Sequence, residues 1–334
     1  MDWRKGYSAT YYMTQVDPVT WRDIKRIEIT GGSIRREPSG LIESADIDVK
    51  NYNQDTEKWV RVYMNARQNY GGERVALFTG LDSTPDSDYL GNLQSVSVQC
   101  YSVLKPAETV YLDIGWYAPS GFDGAQIVKK LLSVTPAPVV VDGKAPALQE
   151  SIIAEADETH LTMAEKILDA INWRYRISGD GVITICPKAT EPIARFDLLT
   201  YDVIQEQVSI ENDWYSCPNV FRAIEDDMMA IAKDEDPNSP FSIPSRGREI
   251  WEQETNCDLA EDETIAEYAQ RRLKEEQARS ISVSYERRFV PDIVPTDIID
   301  LYLPSQGVQG WHIVESQTID IGKSHVTEKV IKWQ

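Results

Sequence analysis

The side chains able to do chemistry in this chain are carboxylates, histidines and cysteines, and their spacing decides what each set could do. A glycoside-cleaving site needs two carboxylates facing each other across a sugar. The pairs Asp46/Asp48 and Asp300/Glu315 are the nearest candidates. Both fall in strand-like segments, and with 54 acidic residues in 334 positions chance pairs are expected throughout. The three histidines, His160, His312 and His325, are scattered. They come with no nucleophile elbow, no HExxH and no glycine-rich phosphate loop. His312 alternates with Trp311 and Ile313 and reads as structural. Cys100, Cys186, Cys217 and Cys257 lie far apart without a CxxC, which argues against zinc and a disulfide framework and for buried, reduced thiols. The expectation is a non-enzyme with no catalytic residue, no metal ligands and no cofactor.

Nine tryptophans and sixteen tyrosines could line a sugar-binding face. Yet Trp59, Trp173, Trp311 and Trp333 sit in strand-like or helix-end patterns, where core or subunit packing is the commoner role. Tyr7, Tyr11 and Tyr12 lie in an N-terminal arm and are expected at an interface. The net charge of −20 and pI near 4.6 argue against a nucleic-acid-binding surface, which needs Lys and Arg to displace counterions. A hydrophobic content of 42% suits a folded chain with room for two to four domains. The sequence shows no secretory signal and no membrane-spanning run.

The elements that must position these residues are mostly strands. Residues 1–105 read as a first β domain, with strands at Ile24–Ile29, Ile47–Val49 and Ser95–Cys100. Gly31-Gly32, Pro38-Ser39-Gly40 and Gly71-Gly72 are expected as turns, and Asp82–Asn92 as a polar loop. Residues 106–192 read as an α+β insert. It carries a helix over Gly124–Leu132 and a second opened by a Thr162/Glu165 capping box. A hairpin follows, Trp173–Ile177 and Val182–Ile185 around Gly179-Asp180-Gly181. Residues 193–334 read as a second β domain, interrupted at about 225–279 by an exposed acidic loop, Asp226–Arg248, and a helix that a Thr264/Glu267 capping box opens. The fold class is therefore mainly β with α+β inserts.

One strand pattern occurs twice. Val60–Met64, a glycine turn, Val75–Gly80, a polar tip and Ser95–Cys100 are matched by Ile298–Leu303, a turn at Gly307, Trp311–Ser316, a tip and Val326–Ile331. Duplicated β units predict a quasi-symmetric role in an assembly.

With these motifs, the helix Thr264–Ala278, the stretch Cys217–Phe221 and the closing Gly310–Ser316, the chain resembles the central hub proteins of phage tail baseplates and related contractile injection machines. It departs from that family at Pro295-Thr296-Asp297, where a Gly-Asp pair is common. The resemblance implies two related antiparallel β-barrel-like tube domains per chain. It implies a homotrimer that joins a six-fold tail tube to a three-fold spike or tip around an axial channel. Its partners would be a tail tube or distal tail protein, the spike and other baseplate proteins, with DNA only as passing cargo. The location implied is the virion tail of a phage or tailocin, assembled in a host bacterial cytoplasm. The expected interface residues are Val60, Val62, Met64, Asp82, Asp86, Asp88, Ile298, Leu301, Leu303, Asp320 and Lys323. The alternatives are the structural hub of a long flexible tail's tip protein, or a polysaccharide-active or polysaccharide-binding β protein. An end at Gln334, without a receptor-binding or lytic extension, favours the contractile type over the first.

Overall fold

The computed structural model describes residues 1–37, 44–50, 52, 56–69, 71–90, 93–197, 207–225, 228–255, 257 and 263–333; the side chains of 84–90 and 93–95 are not characterised. The expected turn at Pro38-Ser39-Gly40 lies outside these residues. Two compact units form. The first comprises Met1–Glu191, Glu286–Asp297 and Glu315–Glu328, and the second Pro192–Tyr285, Ile298–Val314 and Lys329–Gln334. The division differs from the expected boundaries in two ways: no unit boundary falls at 105/106, and two segments near the C-terminus cluster with the N-terminal residues.

In the first unit the chain runs β1 (Ser8–Val16), β2 (Asp23–Ile27), β3 (Ile29–Arg36), β4 (Ser44–Lys50), β5 (Lys58–Gln68), β6 (Gly71–Leu90) and β7 (Leu93–Ser102). The strands pair antiparallel in the order β2-β1-β5-β6-β7-β4-β3. Alternation drives this. Ala45, Ile47 and Val49 point inward while Asp46 and Asp48 point out, and Val96 and Val98 do the same opposite them. Met13 of β1 and Ile34 of β3, far apart in strand order, share one core with Val62, Phe78 and Val98. The sheet is therefore curled around a common interior and is barrel-like.

Three sequence expectations are corrected here. Gly31-Gly32 is not a turn: both glycines lie inside β3 beside a register shift, and Gly32 adopts φ +129° with the Asp46 carbonyl 2.2 Å from where a Cβ would sit. Gly71-Gly72 opens β6 and pairs with Gln68 and Arg67, so it follows the turn rather than making it. Asp82–Asn92 is not a loop either. Its residues as far as Leu90 continue β6, and Leu90 pairs with Leu93 across the hairpin end.

The α+β segment belongs to the same unit. It comprises α1 (Lys105–Thr109), β8 (Tyr117–Ala118), α2 (Gly124–Leu131), β9 (Val139–Val141), β10 (Ile152–Ile153), α3 (His160–Ala170), β11 (Trp173–Ile177) and β12 (Ile183–Pro187). Asp123 caps α2 by accepting from the Gln126 amide. The box that opens α3 is Thr159/Thr162, one turn ahead of the expected Thr162/Glu165. Glu165 instead accepts from the Tyr175 hydroxyl at 2.8 Å, and burial pushes its carboxyl up. Leu161, Ala164, Ile167 and Leu168 turn the apolar stripe of α3 onto α2 and the β11-β12-β9 sheet.

This part is anchored to the curled sheet by the β11–β12 turn. The Asp180 carbonyl accepts from Trp21 Nε1 at 3.0 Å and Arg61 Nη2 at 2.9 Å, and the Gly179 carbonyl accepts from Thr79 Oγ1 at 2.7 Å. The backbone comes so close that a Cβ on Gly179 would lie 1.9 Å from the Ala76 carbonyl oxygen.

The second unit begins with β13 (Ala194–Asp197) and β14 (Ser209–Asn212). It continues through β15 (Val220–Glu225), β16 (Met228–Lys233), α4 (Ile243–Arg246), β17 (Trp251–Thr255) and α5 (Ile265–Arg279). The chain closes with β18 (Ile281–Arg288), β19 (Ile298–Leu303), β20 (Val308–Asp320) and β21 (His325–Lys332), of which β18, β20 and β21 give residues to both units. β19 pairs antiparallel with the start of β20 and parallel with β13, while β14 pairs with β18. α5 starts at the expected Thr264/Glu267 capping box and covers one face of a separate β16-β15-β17 sheet with Tyr268, Ala269 and Leu273. The expected acidic loop is thus partly regular. Met228–Lys233 is a strand, and Asn219, fully buried, holds the rest by donating to Phe241 and Arg248 carbonyls and accepting from the Ile250 amide. Asp226 lies outside the described residues.

The last residues of β20 pair with β3, Gln317 opposite Arg36 and Asp320 opposite Ser33, and Phe289, Ile319 and Val326 fill the first unit's core. A fragment ending at Glu191 should therefore lack a sheet neighbour and part of its core. We expect it to show no cooperative urea transition and no near-UV circular dichroism. A fragment that unfolds with the sharpness of the intact chain would refute this dependence.

Candidate functional site

The expected interface residues separate by burial. Val60, Val62 and Met64 are core residues of the first unit, and Ile298, Leu301 and Leu303 are buried in the second. A side chain without exposed surface offers none to a partner, so these strands shape the sheets from within. Asp82 is also buried, with its carboxylate accepting from the Tyr52 hydroxyl at 2.5 Å and from the Lys58 amide. Asp86 and Asp88 lie along β6 opposite Ser97 and Ser95, and their side chains are not characterised. Asp320 and Lys323 alone of the set are seen at the surface, where they pair at 2.7 Å across the tip between β20 and β21. The Lys323 carbonyl accepts from Tyr11, whose hydroxyl burial pushes up to about 12. Tyr12 is buried and stacks on Tyr63 at 5.2 Å, so the N-terminal arm expected at an interface is strand β1 of the curled sheet.

The groups weighed for chemistry are held in structural roles. Asp46 and Asp48 lie on the outward side of β4, and Asp300 pairs with Arg195 at 3.4 Å. His160 Nδ1 lies 3.0 Å from the Leu131 carbonyl, and His325 meets Glu286 at 3.2 Å. All four cysteines are buried and free of disulfides, and among the described residues no group of His, Cys, Asp or Glu could hold a metal ion. Loss of hydration pushes the Cys100 thiol well up, which leaves it unreactive. No helix among the described residues is long and apolar enough to cross a membrane.

Two charged clusters in the first unit had no sequence signature, since their members are more than a hundred residues apart or on different strands. Asp297, fully buried, binds Arg174 Nη2 through Oδ1 and Arg176 Nη2 through Oδ2, both at 2.9 Å. Its Oδ2 also accepts from the Val294 amide at 3.0 Å. Arg174 Nη1 reaches Thr296 Oγ1 at 2.5 Å and holds that residue at φ +73°, the left-handed region that a Gly-Asp turn would occupy without strain. The second cluster is Arg287 with Glu328, bidentate at 2.9 and 2.5 Å, and Gln317 Nε2 donating to Glu328 at 2.8 Å.

Two apolar surfaces among the described residues are exposed. In the first unit, Tyr117 of β8 stands opposite Ile153 of β10, and both are exposed. Tyr111 and Ile114 extend that patch. In the second unit, the face of the β16-β15-β17 sheet turned away from α5 carries Met229, Ile231 and Trp251. The Arg222 guanidinium and Lys233 ammonium lie 5.9 and 5.7 Å from the Trp251 ring.

Replacing Asp297 by Ala should remove about 3 kcal/mol of stability, the low end for a broken buried ion pair, because Arg176 can reach solvent. A urea midpoint unchanged within error would sink that assignment. The buried His312 gives a pH effect. Burial pushes its imidazole below the ordinary value, and Nδ1 lies 2.8 Å from the Gly310 carbonyl. The unfolded chain gains its proton first, so stability present above about pH 6.5 is lost as pH falls through the depressed folded value. The His312→Gln variant should show a shallower loss between about pH 7 and 5, and identical slopes would contradict this role.

No family model matches the sequence, and neither does any curated protein. Solved structures do match. The 43 kDa tail protein of prophage MuSo2 from Shewanella oneidensis superposes with a TM-score of 0.69 at 14% identity, covering 97% of both chains. A tail protein from Neisseria meningitidis MC58 gives 0.69 at 13% identity over 96% of both. Prophage tail protein gp18 from Listeria monocytogenes EGD-e gives 0.57 at 10% identity, over 97% of this chain and 94% of that one. From end to end, this chain has the fold of phage tail proteins.

Proposed function

We propose that the chain is a structural hub of a phage tail or phage-like contractile particle. Three copies would join the six-fold tail tube to a three-fold spike or tip around an axial channel, without catalysis. The observation that carries this reading is the recurrence of one three-strand antiparallel run, β5-β6-β7 and β19-β20-β21, in a chain with the fold of prophage tail proteins. In this reading a trimer of a chain with two such runs presents six similar edges from three subunits, which is what a symmetry adaptor needs. The strong negative charge suits a channel through which DNA passes, because carboxylates repel phosphate and prevent sticking. In this reading the tip bearing Asp320 and Lys323 meets a neighbouring ring or subunit. The same reading puts the protein in the tail baseplate of the virion, assembled in the host cytoplasm beside tube, spike and other baseplate proteins.

Light scattering on the purified chain should give three times the 37.9 kDa subunit mass, and electron micrographs should show a ring with pseudo-six-fold features. A stable monomer at high concentration, with no ring on addition of tube or spike protein, would remove the hub reading.

A further inference from the structure

The two exposed surfaces differ in charge as sharply as they agree in being apolar. Around the first, segments 110–118 and 152–160 run side by side, with Leu112 N donating to Glu158 O, Ala154 N to Trp116 O and His160 N to Val110 O. Ile114 is 94% exposed, Ile153 69% and Tyr117 56%. Neither stretch 110–123 nor 145–159 contains a Lys or Arg, while Asp113, Glu150, Glu155 and Asp157 are all exposed. Lys166 is engaged by Glu158 at 2.8 Å and Glu155 at 3.7 Å. This is an apolar patch with an acidic rim.

The second surface reverses the sign. The exposed sheet face presents Met229, 60% exposed, with Ile231 and Trp251 beside Arg222 and Lys233. Lys233 shares Glu249 with Trp251 Nε1, and Arg222 bonds Gln253, so these side chains are pre-positioned and the face sets two cations against one carboxylate. Such a face is unusual in a chain of net charge −20. Most contacts between two copies would set carboxylate against carboxylate, at a cost of several kcal/mol.

We infer that these surfaces bind each other between copies: the acidic apolar patch of one subunit seats on the cationic sheet face of the next. Tyr117 and Ile153 cover Met229, Ile231 and Trp251, and Asp113 and Glu155 face Arg222 and Lys233. A contact between two different patches is heterologous, and it closes into a ring when its rotation divides a full turn. The inference rests on the trimeric hub reading and names the surfaces that would hold that ring together.

The test uses the full-length chain in analytical ultracentrifugation. Arg222→Glu with Lys233→Glu should weaken self-association by about tenfold or more, and adding Asp113→Lys with Glu155→Lys in the same chain should restore it. Raised salt should weaken the native contact and leave mass unchanged in a variant already monomeric. Should these variants misfold, Ile153→Cys with Ile231→Cys serves instead. The native thiols are buried, so oxidation should link subunits only when both new cysteines are present. A trimer that survives the charge reversal, a reversal that the second pair fails to rescue, or no disulfide would each overturn the pairing. A reversal without rescue would assign the cationic face to a different protein. A wild-type chain that is monomeric throughout would instead remove the hub reading itself.

Discussion

A buried ion pair sets the terms for the first unit. Arg287 and Glu328 have no exposed side-chain surface, and Gln317 joins them. Two charges taken out of water cost several kcal/mol each, and only a bidentate geometry with the remaining valences filled offsets that. The Arg287 Nη1 donation to the Arg288 carbonyl and the Gln317 bridge supply the remainder. All three residues come from the last fifty positions, yet they sit in the unit built from the first two hundred. The chain must therefore return before the first core can close, and Tyr7 records the span by donating to the Ser324 carbonyl at 3.1 Å. Contacts of such separation carry a large loop-closure cost and slow folding.

The same logic governs the α+β part. Its β11–β12 turn meets the curled sheet through backbone carbonyls that receive Trp21, Arg61 and Thr79, while Trp21 and Trp59 rings pack at 5.4 Å. On the other flank, Arg174 and Arg176 of β11 converge on Asp297. The hairpin is thus clamped at its turn and along its strand. The Tyr117–Ile153 patch lies on a separate pair of short strands, held together by the backbone bonds of Leu112 to Glu158 and Ala154 to Trp116.

Much of the local architecture was legible in the residues. Thr264 and Glu267 mark the start of α5, Trp173–Ile177 and the following glycines mark a hairpin, and Val96/Val98 alternation marks a half-buried strand. Errors fell where a tertiary partner outweighed a local signal. Thr162 looked like a helix cap, but Thr159 takes that place and Tyr175 claims Glu165. Gly31-Gly32 had turn chemistry, but the Asp46 backbone presses against Gly32 inside a strand. The polar run after Asp82 had loop composition, yet pairing with β7 carries it on as strand. Of the expected interface, the β strands were placed correctly as strands, but Arg61 and Tyr63, which alternate with Val60, Val62 and Met64, are buried as well, against Asp180 and Tyr12, and alternation does not show that.

What the sequence determined by itself was periodicity, caps and charge: a mainly β chain with two strand–turn–strand–tip–strand runs, an α+β segment between them, and a strongly acidic surface. These are local or additive properties, and each follows from a few neighbouring residues. Only the tertiary structure decided that residues 286–297 and 315–328 finish the first unit, that Asp297 takes two arginines, and that Met229, Ile231 and Trp251 of the second unit are exposed on one sheet face. Those outcomes depend on which distant side chains can desolvate one another at acceptable cost, and no window of sequence contains that comparison.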